Sequence, residues 1–221
     1  MAFSAQSLAG DIRRLVSDPD GDRWDDALLA FNINAALYEL IDIAPSVNAK
    51  DVNIPLAAGA VQQLPDEFAR VHKLHNTVLV ADDSSATEGE ECYEVDMDDL
   101  TLEDPRWRSA DPEATVCHYM IPDPAGREFY VYPPQPAQVN QNQVRATVSA
   151  YPAEVVDLTA DSVDLHPRHR YALGCLTAGM LLQDETDEAS QGRSDRYKQL
   201  GYSAVGAKYS TGQTMRGGNR S

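Results

Sequence analysis

The sequence predicts an α+β protein. N- and C-terminal helices form a bundle, an antiparallel β-rich lobe is inserted between them, and an extended basic arm closes the chain. Three observations carry this expectation. Apolar residues recur at helical spacing only before Pro45 and after Asp164, alternation and turn residues dominate in between, and periodicity stops after Gly206. The implied segments are 1–46 for the first helices, 47–163 for the lobe, 164–206 for the returning helices and 207–221 for the arm.

The first helix spans about Ser4 to Val16, where Leu8, Ile12, Leu15 and Val16 share a face behind a capping serine. Asp18-Pro-Asp-Gly21 stops it. Asp22 is placed to cap a second helix from Arg23 to about Ile43, with Asp25 and Asp26 in its first turn favourable to the dipole. Its apolar residues fall on two adjoining stripes. One holds Trp24, Leu28, Phe31 and Ala35, the other Leu29, Ile33, Leu37, Leu40 and Ile41, a width that implies contact on more than one side.

Past Pro45 the rhythm alternates. Val52, Ile54 and Leu56 lead through Ala57-Ala-Gly59 to Val61–Leu64, which reads as a hairpin. Residues 71–80, rich in Val, Leu and Thr, form a second β element. Cys117–Ile121 and Glu128–Tyr132 flank Pro122-Asp-Pro-Ala-Gly126 and read as another hairpin. Val144, Ala146, Val148 and Ala150 alternate with Arg145, Thr147, Ser149 and Tyr151, as one covered sheet face requires.

Helical spacing returns after Asp164. Pro167 suits a first turn, and Ala172, Leu176 and Met180, flanked by Leu173 and Leu181, supply the inward stripe. Gly174 and Gly179 weaken this helix slightly but permit close backbone approach. A last helix follows with Tyr197, Leu200 and Ala204. Nothing after Gly206 shows periodicity.

Charge narrows the function classes. The 221 residues carry 35 acidic against 18 basic side chains, a net −17 that argues against general affinity for nucleic acid or anionic membrane. The imbalance is uneven. Residues 193–221 hold Arg193, Arg196, Lys198, Lys208, Arg216 and Arg220 against Asp195 alone, a local +5, so the other 192 residues sum to −22. Between 82 and 104 there are eleven carboxylates and no Lys or Arg. No apolar run approaches the roughly 20 residues of a membrane helix, and Met1-Ala2-Phe3-Ser4 has the look of no secretory signal.

Few residues invite chemistry. Cys92, Cys117 and Cys175 match no zinc spacing or disulfide framework and read as free, buried or half-buried thiols. Asp18-Pro-Asp-Gly-Asp22 misplaces its Gly for an EF-hand and has Leu29 at the twelfth position, so it reads as a capping turn. His166 and His169 lack a nearby carboxylate, and Arg168 and Arg170 would repel a cation. No nucleophile elbow, Walker, dinucleotide or HExxH signature occurs. No metal and no cofactor is implied. The dense acids leave open a carboxylate-based hydrolase, with peptidoglycan as substrate, as the alternative to a binding or structural role. A stand-alone binding module is a third reading.

Several segments recur in an order that resembles the head-to-tail adaptor (connector) proteins of tailed, especially short-tailed, bacteriophages. Asp22-Arg-Trp-Asp-Asp-Ala-Leu-Leu29 is similar to the opening of the adaptors' long N-terminal helix, and Tyr38-Glu-Leu-Ile-Asp-Ile-Ala-Pro45 to its end. Ile54-Pro-Leu-Ala-Ala-Gly59 with Gln63-Leu-Pro-Asp-Glu-Phe68 resembles the family's hairpin and its Leu-Pro turn. Asp104-Pro-Arg-Trp107, His118-Tyr-Met, Glu128-Phe-Tyr-Val-Tyr-Pro-Pro134 and Ala150-Tyr-Pro-Ala153 follow in the expected order. The likeness spans about residues 5–205; a longer acidic loop, Ala81 to Glu91, departs from it.

The resemblance implies a structural virion protein, not an enzyme, at the neck and assembled in the host cytoplasm. Such adaptors form a ring, usually of twelve copies, beneath the dodecameric portal and continue the DNA channel to the tail nozzle, where fibres can also attach. Their C-terminal arms reach along the portal, a role that falls here on 208–221. The expected portal-binding residues are Tyr202, Lys208, Tyr209, Arg216 and Arg220. The expected channel-lining residues are Asp82, Asp83, Glu88, Glu90 and Glu91, because carboxylates minimise contact with the phosphates of passing DNA.

Overall fold

Ser4 begins the architecture by ending a strand and capping a helix at once. The computed structural model describes residues 2–80, 86–122, 127–137, 142–183 and 185–209. In it a short strand, β1 (Phe3–Ser4), runs into α1 (Ala5–Val16), and the Ser4 hydroxyl accepts the Ser7 N–H at 3.4 Å. At the other end Ser17 turns left-handed, φ 64°, and gives its N–H to the Arg13 and Arg14 carbonyls.

The next helix starts later than its sequence suggests. α2 (Asp26–Ile43) is capped by Asp25, whose carboxylate accepts the Leu28 N–H at 2.8 Å. Asp18 explains the delay. It is buried and takes the N–H groups of Arg23 and Trp24 at 3.3 and 3.1 Å, while Arg13 donates to the Trp24 carbonyl at 2.9 Å. Those amides are committed to a turn that buries Trp24, so helix begins only beyond it. Of the two expected stripes, Leu29, Ile33, Leu37, Leu40 and Ile41 are buried. On the other stripe Trp24 is buried and Ala35 half-buried, while Leu28 and Phe31 remain 38% and 69% exposed, so the expected contact on a second side is not met at those two positions by the described residues.

The middle of the chain supplies nine further elements: β2 (Ala49–Pro55), β3 (Gly59–Gln63), β4 (Phe68–Val80), β5 (Ala86–Glu91), β6 (Tyr93–Glu94), α3 (Met97–Glu103), β7 (His118–Met120), β8 (Glu128–Gln135) and β9 (Asn142–Ala150). They make two four-stranded sheets, ordered β2-β9-β4-β5 and β3-β8-β7-β6. All pairings are antiparallel except β6 with β7.

The expected β7–β8 hairpin is present, with His118 opposite Tyr132. The expected β2–β3 hairpin is not: the two strands belong to different sheets. Gln62 is the cause. Its side chain accepts the Ala57 N–H at 2.7 Å and donates to the Ala57 and Gly59 carbonyls at 2.9 and 3.0 Å, tying the connection into a corner. Part of the expected acidic loop is likewise regular, since residues 86–91 form an edge strand on β4.

Ile54, Leu74, Phe129, Val131, Val144 and Ala146 form the main core of this unit. Val144, Ala146, Val148 and Ala150 of β9 are all buried as expected, but the alternation ends at Ser149, expected on the uncovered face and buried as well. Ala60, Leu100, Met120 and Trp107 make a smaller cluster on the other face of the second sheet.

The returning segment pairs β10 (Ser162–Val163) with β1, then forms α4 (Arg170–Gln183) and α5 (Glu188–Ala204). α4 lies against α1, α2 and α5, and every residue from Ala172 to Gly179 is buried. Its seam with α5 is built from small residues. A Cβ on Gly179 would sit 2.7 Å from Lys198 Cγ, one on Gly201 2.8 Å from Leu176 Cγ, and the Ser194 hydroxyl donates to the Gly179 carbonyl at 2.6 Å. Leu200 and Ala204 stay exposed. The chain divides into two compact units, the described residues of 1–48 and 152–221 in one and those of 49–151 in the other.

Candidate docking site at the base of the C-terminal arm

Gly206 decides where the arm begins. Its φ of 76° is the left-handed conformation that ends helices, and it reverses the chain after α5 so that Ala207 N–H donates to the Tyr202 carbonyl at 2.9 Å. The reversal returns Tyr209 to the helix. Its ring meets that of Tyr202 edge-on, with centroids 5.1 Å apart, and its hydroxyl donates to Asp195 at 3.0 Å. Tyr202 donates in turn to Glu39 of α2 at 2.8 Å.

Burial, then the adjacent carboxylate, pushes both phenols up to about 12, so each is a neutral donor at physiological pH. Lys198 donates to the Gln183 side chain across the same corner. The arrangement holds Tyr209 against α5, which Tyr202 ties to α2 through Glu39.

The expected portal-binding residues are thus placed differently from one another. Tyr202 and Tyr209 come together as a clasp with their hydroxyls engaged inside the chain, and Lys208 lies exposed between them. Arg216 and Arg220 lie outside the described residues. Ala207–Tyr209 has no regular secondary structure, as the sequence suggests, yet Tyr209 is anchored.

Of the expected channel-lining acids, Glu88, Glu90 and Glu91 lie on β5, where every residue is exposed. Glu88 is paired with Arg145 at 2.9 Å, and Glu91 accepts from Tyr93 at 3.4 Å. Asp82 and Asp83 lie outside the described residues.

A cross-strand polar cluster escaped the sequence. Thr147 on β9 donates to Asp51 on β2 at 2.6 Å, and its oxygen meets His75 Nε2 on β4 at 2.7 Å. The donated hydrogen bond, with lesser help from His75 and Arg145, holds Asp51 below its ordinary value of 3.8. A hydroxyl has one proton. With that proton on Asp51, the imidazole must donate to Thr147, so the hydroxyl is a structural bridge and not an activated nucleophile. Strand register brings these residues together, and register is invisible to local pattern.

The three cysteines are free. Burial pushes the Cys92 thiol up to about 11 and raises Cys117 and Cys175 as well, which disfavours the reactive thiolate. His169 is lowered by burial and by Arg168, whose guanidinium lies on its ring nitrogen at 2.8 Å. Among the described residues no three His, Cys, Asp or Glu side chains gather as a metal site, and no helix is long and apolar enough to cross a membrane.

No curated protein matches the chain. A protein-family model does: the match covers residues 3–220 and so takes in both units, the clasp and almost all of the arm, in keeping with the order of motifs read from the sequence. The chain therefore belongs to the SU10 adaptor protein family, a phage head-to-tail adaptor family.

Proposed function

We propose that this chain is a ring subunit at the virion neck, one that docks on the portal dodecamer through its basic C-terminal arm and carries the DNA channel on to the tail nozzle. The observation that supports this most is the Tyr202–Tyr209 clasp, which anchors the start of the arm to α2 and α5 through Glu39 and Asp195. A basic arm rooted on an acidic body suits a partner groove lined by carboxylates and carbonyls, because guanidinium and aromatic groups dominate such contacts.

The acids on β5, with Asp82 and Asp83, suit a channel wall past which DNA slides without adhering. Fixed negative charge there keeps phosphate contacts few. DNA passes unread in this account.

Truncation after Tyr209 tests the docking role. The clasp and both units stay intact, so the melting temperature should be unchanged, while binding to purified portal rings is lost. Portal binding equal to that of the full chain would remove the arm from the account.

A further inference from the structure

The helical unit carries two exposed apolar surfaces of opposite charge, and the described residues of the unit cover neither. The first is a ridge on α2. Leu28, Phe31, Ala35 and Tyr38 follow one another along one face, and Phe31, at 69% exposure, is its summit. Val156, 82% exposed, extends the ridge sideways. Its loop is fixed to α2 by Asn34, whose side chain donates to the Val155 carbonyl at 2.9 Å and accepts the Val155 N–H at 2.8 Å. Its flank is acidic: Glu154 accepts the Tyr38 hydroxyl at 3.1 Å, Glu39 and Asp42 stand four residues beyond Ala35 and Tyr38 on α2, Asp157 follows Val156, and no Lys or Arg occurs from Asp25 through Asn48.

The second surface is a groove of about 490 Å³ between α1 and α4, floored by Leu8, Leu15, Pro167, Tyr171 and Gly174. Its rim is basic. Arg14, 80% exposed at its side chain, Arg168 and Arg170 line it, and Asp11 offsets them only in part. α5 adds to the charge nearby: Arg193 donates to the Leu15 carbonyl at 3.1 Å, and Arg196 follows it three residues on along the same helix. Three arginines therefore line one apolar groove, and two more stand on the adjoining α5, on a protein of net charge −17.

We infer that the acidic-rimmed ridge of one copy seats in the arginine-rimmed groove of the next, a head-to-tail contact between copies of this chain. Exposed apolar groups of this size mark interaction surfaces. Charge complementarity selects the occupant, because an arginine rim repels the basic arm and attracts a carboxylate-flanked helix. Ridge and groove are different patches, so the contact is heterologous and propagates from copy to copy until it closes. The inference rests on the ring reading for its setting and names the surfaces that would build such a ring.

Two surface variants test it, Phe31→Glu on the ridge and Arg14→Glu with Arg196→Glu on the groove, each first shown to melt like the parent. Sedimentation velocity is run on the chain alone at high concentration and on portal rings. The parent should form species larger than two chains. Each variant alone should remain single, and an equimolar mixture of the two should stop at a pair, since only one intact ridge and one intact groove remain. A parent that associates undisturbed by either variant, or a mixture that stays single, overturns the ridge-and-groove contact but leaves the ring reading standing. A parent that stays single even on portal rings overturns both. Salt-sensitive binding of duplex DNA that only the groove variant loses, with self-association unchanged, would overturn the contact and make the groove a phosphate site.

Discussion

Tyr202 donates its phenolic proton to Glu39 at 2.8 Å, joining residues 163 positions apart in the chain. The bond ties the end of α5 to α2 just before the arm begins. Its neighbour Tyr209 repeats the motif on Asp195.

These two phenols give the protein an alkaline limit. Each titrates near 10.0 when unfolded and at about 12 when folded, because burial and the carboxylate favour the protonated form. A folded value above the unfolded one contributes stability that is fully present below pH 10 and is lost as pH rises through 12. Urea unfolding followed from pH 9 to 12 should show falling stability, and Tyr202→Phe with Tyr209→Phe should flatten that fall. At neutral pH each change should cost about 1 kcal/mol, the usual worth of one hydrogen bond.

Glycines on two helices should respond with opposite signs. Gly179→Ala places a methyl 2.7 Å from Lys198 Cγ and 3.1 Å from the Ser194 carbonyl, which belongs to backbone and cannot swing away. Overpacking of this kind costs about 1–3 kcal/mol. Gly192→Ala, with nothing within 4 Å of the new methyl and a site inside α5, should stabilise by about 0.5–1 kcal/mol through helix propensity. Thermal melts of the two variants decide the matter, and a Gly179→Ala protein as stable as the parent would deny the close seam.

Asp18 is the keystone of the turn before α2. Asp18→Ala leaves the buried Trp24 amide and the half-buried Arg23 amide without their acceptor, while Arg13 keeps the Trp24 carbonyl and Asp26, and should destabilise by about 1–3 kcal/mol. Trp24 fluorescence should shift toward the exposed range in the same variant, because the turn that buries the indole is lost.

Asp51 sets an acid response. Its folded value lies below 3.8, so the stability it contributes is present above that pH and lost as pH falls through the folded value. Thr147→Val removes the donor and should return Asp51 toward 3.8, a change that NMR titration of the side-chain carboxyl reads directly.

What the sequence made legible follows the range of the interactions involved. Ser4 and the alternating run from Val144 to Val148 act over a few residues, and the elements they mark stand where local pattern puts them, whereas α2 begins three residues late, capped by Asp25 in place of Asp22. The β2–β3 connection misled because the Gln62 side chain folds onto its own turn and the two strands pair with distant partners, β2 with β9 and β3 with β8, none of which hydrophobic alternation reports. α5 misled in another way: its seam uses Ser190, Ser194 and Gly201, which carry no hydrophobic period, while Leu200 stands outside. Of the candidate site, Tyr202 and Tyr209 were visible as aromatic residues near a basic run. That they meet each other and two distant carboxylates needed the fold.

The most direct test of the account is a cryo-EM map of the virion that contains this chain. The account predicts a ring of this fold at the neck, below the portal, with density leading from Tyr209 onto the portal surface. A neck without this fold, or a ring whose C-terminal residues leave away from the portal, would contradict it.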